Sequence, residues 1–380
     1  MRRTFSSPAR NHALSGPITT RWHNFTPRPY PMNRIRLGAL AMGLSLVSIL
    51  HAAEFGAIPD PYIGNWAGTL KSKTKEAPVH ASVIAYKNRY EVTLRTEPDT
   101  RKPAIVVFNG KVQMDQLVLE QDPSPAIPVQ QNERASNAVR WSGQAKGDEM
   151  TGAFTAGETS AFSLKRIPFQ PSPTLGDKAP VGALVLFDGK HINAWESKQA
   201  SADAIQWIVT ESGALEVVSQ RAGKRNKQDL RTKENFGDYR LHLEFKLAHK
   251  PEATGQGRSN SGIIHLGVYE TQILDSFGLY GRDNECGGIY KTREPDRNVG
   301  YPAGLWQTYD IEFKAPRFSG EGKKTADARM SVRLNGALIH HDVTVPNPTG
   351  GGKETARGPI VLQDHGNPVQ FRNIWAVKLD

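Results

Sequence analysis

Cysteine is nearly absent: Cys286 is the only one in 380 residues. No intrachain disulfide can form, and zinc sites built on paired cysteines and thioredoxin-like chemistry are excluded by count. With no base identifiable beside it, Cys286 reads as a buried packing residue and not as a nucleophile. Helical periodicity is scarce too. Only six Met stand against 35 Gly and 25 Pro, and the many short runs of Thr, Val and Ile favour strands. Acidic residues are missing from residues 1–53, which hold seven Arg and no Asp, Glu or Lys. Without that segment the formal charge of +10 falls to 41 basic against 38 acidic residues, and those are interspersed. An interspersed balance is an ordinary solvated surface, so nucleic-acid binding is excluded.

The apolar run Leu37–Leu50 follows Met32-Asn33-Arg34-Ile35-Arg36 and precedes the small residues Ala52 and Ala53. It is too short for a stable membrane span and has the layout of a secretory signal, with Met32 as the true start. The expected location is periplasmic, extracellular or associated with the cell envelope.

What remains is long enough for two domains. Residues 54–167 carry short strand-like segments punctuated by turns such as Asn109-Gly110 and Gly147-Asp148, the pattern of a small antiparallel meander or partial barrel. Trp66 and Trp141 are expected in its core. Residues 168–182, with Pro168, Pro171, Pro173 and Pro180, form a semi-rigid linker. Residues 183–380 hold a dozen short strands, so the class is all-β, a two-sheet sandwich of jelly-roll type behind a small β-domain. In Tyr239–Leu247 the apolar residues alternate with Arg240, His242, Glu244 and Lys246, which puts His242 on a wet face. His340 and His341, pointing to opposite faces, are expected at the surface rather than on a metal. No loop has a recognisable calcium-ligand spacing, although sandwich folds often hold that ion; the metal is left open.

The stretch Asn260–Asp275 stands out. In a strand Glu270 and Gln272 share a face, while Asp275 joins them only if a bulge intervenes. Two carboxylates and an amide converging on one sheet face imply a polar ligand.

Several motifs in order complete the pattern: Leu186-Phe187-Asp188-Gly189 with Trp195, Phe236-Gly237-Asp238-Tyr239-Arg240-Leu241, Asn260-Ser261-Gly262-Ile263 and Tyr269-Glu270-Thr271-Gln272-Ile273-Leu274-Asp275. Cys286-Gly287-Gly288-Ile289-Tyr290, Trp306-Gln307-Thr308-Tyr309 and Leu362-Gln363-Asp364-His365-Gly366 follow. Residues 183–380 thereby resemble the 3-keto-disaccharide hydrolase domain family. One departure is His265, where a longer polar residue such as Arg or Gln is expected. The resemblance implies a concanavalin-like sandwich acting on sugars oxidised at carbon 3. A ketone there acidifies the carbon 2 proton, so a base, an electrophile for the enolate and an acid for the leaving oxygen are needed. Glu270 and Asp275 are the candidate base and acid in either order, and His365 the histidine best placed for acid/base work. Gln272 would bond a sugar hydroxyl. Asn260, Tyr290, Lys291 and Gln363 would line the pocket, with Trp306 as a stacking platform.

Two rival functions stay open at this point. Glu-x-Gln-x-x-Asp resembles the bulged carboxylate signature of laminarinase-like glycosidases, where a separation of about 5 Å suits retention and about 6.5–9.5 Å inversion. A non-catalytic carbohydrate-binding module would also suit the accessory β-domain.

Overall fold

The computed structural model describes residues 55–380 apart from 88, 126–139, 157, 200–203, 219, 222–223, 226 and 350. The leader and signal expected in residues 1–53 lie outside the described residues. From Gly64 onward the regular structure described is all strand, save a 3-10 turn at Gly255–Gly257.

Eight strands between Gly64 and Ile167 pair antiparallel in chain order, and the first (Gly64–Lys71) closes on the last (Glu158–Ile167). The meander is thus a closed barrel, which leaves no strand edge unpaired. Its interior is filled by side chains such as Trp66, Val92, Leu94, Phe108, Leu119 and Met150, each fully buried. Trp66 and Trp141 are both core residues, so neither offers a face to a sugar.

Behind it stand two sheets. The five-stranded one runs in the order Trp195–Ser197, Leu230–Thr232, Val361–Leu362, Ser261–His265, Tyr269–Ile273. The eight-stranded one centres on Gln370–Lys378, Tyr239–Lys246 and Trp306–Lys314. Tyr239, Leu241, Leu243 and Phe245 alternate into the space between the sheets, where they meet Ile263, Tyr269, Tyr309 and Phe313. Each such side chain contributes about 1.5–3 kcal/mol by burial. The hairpin Ala328–Leu334 to Ala337–Val345 turns on Asn335 and Gly336, both at positive φ (51° and 77°), the backbone a two-residue turn requires.

Two expectations need correction. His242 is buried, not wet: its Nδ1 lies 2.6 Å from Asp310 Oδ1, and its ring stacks on Trp375. The cover is the proline-rich linker, which docks on this face. Gly176 N donates to Glu244 Oε1 (2.7 Å), Thr174 Oγ1 to Asp310 Oδ2 (2.7 Å), and Asn373 Nδ2 to Asp177 O (2.9 Å). His340 is likewise buried, with Nε2 2.8 Å from Gly287 O; His341 is exposed.

Candidate functional site

Strand alternation decides what the edge strand Tyr269–Ile273 presents. Tyr269, Thr271 and Ile273 enter the core, Thr271 Oγ1 meeting His265 Nε2 at 3.0 Å. Glu270 and Gln272 therefore share the outer face of the five-stranded sheet. The partner strand Ser261–His265 runs in unbroken register, Ile264 opposite Glu270 and Gly262 opposite Gln272. The bulge that would turn Asp275 toward Glu270 is absent.

The Glu270 carboxyl lies across Gly262. A Cβ there would stand 2.3 Å from Glu270 Oε1, so only glycine leaves room for that rotamer. Glu270 N donates to Thr349 Oγ1 (2.8 Å), and Glu270 O accepts from Tyr290 N (3.0 Å). From the next strand Gln363 Nε2 approaches Oε1 at 3.4 Å, while Gln363 Oε1 is buried with no hydrogen-bond partner among the described residues. Behind Gln363, Asp364 N donates to Asp229 Oδ1 (3.0 Å), and Asp229 Oδ2 lies 3.8 Å from Lys198 Nζ.

This setting moves the Glu270 proton affinity. Burial, and then the Asp229 charge, lift its pKa from 4.5 to about 7, against the smaller opposing pull of Lys227, Gln363 and Lys198. A carboxyl poised there can both take and give a proton near neutrality.

Other expected members fare unevenly. Tyr290 joins Glu270 through its main chain. Ile289 is buried in the core opposite Thr271, so Tyr290 comes next on the outer side, with exposed Lys291 beyond it. His365 is exposed on the loop two residues past Gln363. Gln272 is on the right face but satisfied internally: Nε2 donates to Gln256 Oε1 (3.1 Å), and Oε1 accepts from Ile273 N (3.0 Å). Asn260 is tied to Gln256 by its Nδ2 at 3.0 Å, while its buried Oδ1 lacks a partner among the described residues.

Two residues sit elsewhere. Asp275 is buried in an ion pair with Arg258 (Oδ2 to Nη2, 2.7 Å) at a small cavity lined by barrel residues Ile63, Ile84 and Ala85. Trp306 pairs with Lys246 on the eight-stranded sheet, and the Arg372 guanidinium covers its ring at 4.1 Å, where a sugar would have stacked. His265, which departs from the family pattern, points into the core; burial drops its pKa to about 3, and Tyr239 Oη lies 2.6 Å away.

Lys198, Lys227 and Asp229 carry no local signal of this role: strand order, not spacing, brings them in, because Leu230 pairs with Leu362 across the sheet. Among the described residues no three His, Cys, Asp or Glu side chains gather as a metal site.

Residues 182–377 match the 3-keto-alpha-glucoside-1,2-lyase-like domain. The chain is 23% identical over 278 residues to a 3-keto-disaccharide hydrolase of Bacteroides thetaiotaomicron, covering 64% of this chain and 94% of that protein. A solved Parabacteroides distasonis protein, provisionally assigned as a glycosyl hydrolase, is 34% identical, covering 57% of this chain and 93% of that one, at a TM-score of 0.47. A β-glucanase of Bacillus licheniformis is 14% identical over 53% of this chain and all of its own, at a TM-score of 0.30.

Proposed function

Because the chain belongs to the 3-keto-alpha-glucoside-1,2-lyase-like domain family, we propose that it is an exported carbohydrate-active enzyme that cleaves 3-keto-glycosides, 3-keto-disaccharides among them, by elimination and hydration. The observation that carries this reading is the Glu270 carboxyl: buried, raised to about 7, and within the field of two lysines. Its relative in Bacteroides thetaiotaomicron, named for the hydrolysis of 3-keto-disaccharides, supports the substrate class. The Met32–Ala53 leader supports export.

In this mechanism Glu270 takes the carbon 2 proton of the keto sugar, and the electron pair moves to the carbon 3 oxygen. Lys198 and Lys227 stabilise that enolate charge. The enolate re-forms the ketone as the carbon 1–oxygen bond breaks, leaving a 2-hydroxy-3-keto-glycal. The departing aglycone oxygen takes a proton from His365 or from protonated Glu270. Water then adds at carbon 1 and a proton at carbon 2. Gln363 Oε1 accepts from a sugar hydroxyl, with Tyr290 and Lys291 flanking the ring.

The test is turnover of a 3-keto-trehalose- or 3-keto-sucrose-type substrate in D2O, followed by NMR against an enzyme-free control. Deuterium at carbon 2 and a transient glycal are expected, with the unoxidised parent untouched. Cleavage that keeps the original proton at carbon 2, or equal cleavage of the parent, would point to an ordinary glycosidase. Saturable binding without turnover would leave only a sugar-binding module. The ordinary glycosidase reading loses its carboxylate pair on geometry, since Asp275 is committed to Arg258.

A further inference from the structure

Among the described residues the barrel carries no constellation for chemistry and its interior is packed with side chains, yet its rim grips one segment of the sandwich at several points. That segment, 276–296, leaves the Glu270 strand, passes along the barrel, and returns to cap the same strand. Gly287 N and Tyr290 N donate to Gln272 O (3.1 Å) and Glu270 O (3.0 Å), and Gln272 N donates to Gly288 O (2.9 Å). The capping is thus an added length of sheet edge, and it sets where Tyr290 stands beside Glu270.

On the barrel side, Arg101 Nη2 donates to Gly281 O (3.1 Å) and to Pro295 O, bridging both ends of the segment. Its guanidinium also lies 5.5 Å from the Tyr280 ring centroid, and Thr100 Oγ1 donates to Tyr280 O at 3.4 Å. Gly278, at φ +72°, lets the chain close on the barrel: a Cβ there would meet Ile84 Cγ2 at 2.7 Å. Phe277 packs with Ile63, Ile84 and Ala85 in a small shared core. Arg258 completes the grip. Its Nη1 donates to Ala85 O (2.6 Å) while Nε and Nη2 hold Asp275 O and Oδ2 (3.0 and 2.7 Å).

We propose that the barrel positions the candidate site, holding segment 276–296 through Arg101, Arg258 and the Gly278 contact so that Tyr290 and the Glu270 strand keep their mutual geometry. Arg101, Arg258 and Asp275 are positioning residues, and none touches the reacting atoms. Arg suits the part because its planar fork reaches two carbonyls at once. As a statement about catalysis the proposal rests on the keto-glycoside reading above; as a statement about the segment it does not.

The experiment therefore has two readouts on the full-length chain. In Arg101→Ala, amide hydrogen exchange across residues 280–296 is expected to quicken while exchange in barrel strands stays as in wild type. With a 3-keto-glucoside, kcat is expected to fall about tenfold or more, since small misplacement acts on the transition state. Gly278→Ala, which pushes the two surfaces apart from the other side, is expected to give the same exchange signature. Should it fail to fold, Arg101→Ala still decides. Unchanged exchange in 280–296 would overturn the grip. Faster exchange with kcat kept within threefold would overturn the positioning role. A wild type inactive on keto sugars would sink the substrate reading alone, leaving the grip to stand or fall on exchange.

Discussion

Gly262→Ala separates the chemistry of this site from its stability more cleanly than any change to the acid itself. The new methyl would lie 2.3 Å from Glu270 Oε1 and 3.1 Å from Cδ and Cγ. Carbon and oxygen need about 3.0 Å or more, so the carboxyl must retreat by roughly 0.7 Å, and its one hydrogen-bonding side chain among the described residues is Gln363, with Nε2 at 3.4 Å. What yields is the end of a flexible side chain and not backbone, and the extra methyl also lowers the entropy of the unfolded chain. The expected stability change is therefore within about 1 kcal/mol, a few degrees at most in melting temperature. The expected loss of kcat/KM is on the order of 100-fold, the effect of a displacement near 1 Å at a reacting group. Steady-state kinetics on a 3-keto-glucoside alongside calorimetry measure both. Activity within threefold of wild type would refute the placement of Glu270 as base, and a fall of about 3 kcal/mol in stability would refute the packing reasoning.

Glu270→Gln should lower kcat by about 10²- to 10⁴-fold and abolish any acid limb near pH 7 in the rate profile. The same variant tests linkage. A carboxyl whose folded pKa is raised from 4.5 to about 7 binds its proton more tightly when folded, so wild-type stability falls as pH rises from about 4.5 to 7 and then levels. Glu270→Gln should consequently exceed wild type by on the order of 2 kcal/mol at pH 8 and by little at pH 4.5, read by denaturant melts. Arg258→Met leaves the Asp275 carboxylate buried without its cation and should cost about 3 kcal/mol of stability in denaturant melts, with kcat on a 3-keto-glucoside falling as it does in Arg101→Ala. His242→Leu should destabilise by about 3 kcal/mol in thermal melts, since Asp310 loses its partner and Glu244 loses one of its cations.

The class of fold was legible because strand signals are local: alternation in Tyr239–Leu247 and turns such as Asn335-Gly336 need no knowledge of distant residues. Closure of the barrel was not, since it depends on Gly64–Lys71 finding Glu158–Ile167 across the whole unit. Glu270 could be singled out from its strand, and Gln363 from its motif. Lys198, Lys227 and Asp229 gave no signal, because their only relation to Glu270 is the lateral order of the sheet. Asp275 misled for the opposite reason: a shared face with Glu270 needed a bulge, which local pattern neither shows nor excludes, but the strand ends at Ile273 and the chain beyond it follows the barrel. His242 misled because alternation tells which face a residue takes and not what later covers that face.

The two outer faces of the sandwich each bury charged groups, and proton affinity tells their roles apart. Under the linker, burial disfavours the charges on both His242 and Glu244, yet pairing overrides it. Bonds to Asp310 and Glu244 raise His242 to about 9, and bonds from His242, Asn373 and Arg372 lower Glu244 to about 2. Neither group can trade a proton near neutrality, so that cluster is a charged fastening: stability from His242 is fully present below its ordinary 6.5 and is lost as pH rises through 9. On the other face burial wins, because among the described residues Glu270 has no cation in direct contact, only lysines at a distance and a carboxamide at 3.4 Å. A proton held at about 7 there costs little to move in either direction. The same ingredients, carboxylates and cations on a sheet, thus yield a lock where every charge is matched and a carboxyl able to exchange its proton near neutrality where one is left under-matched.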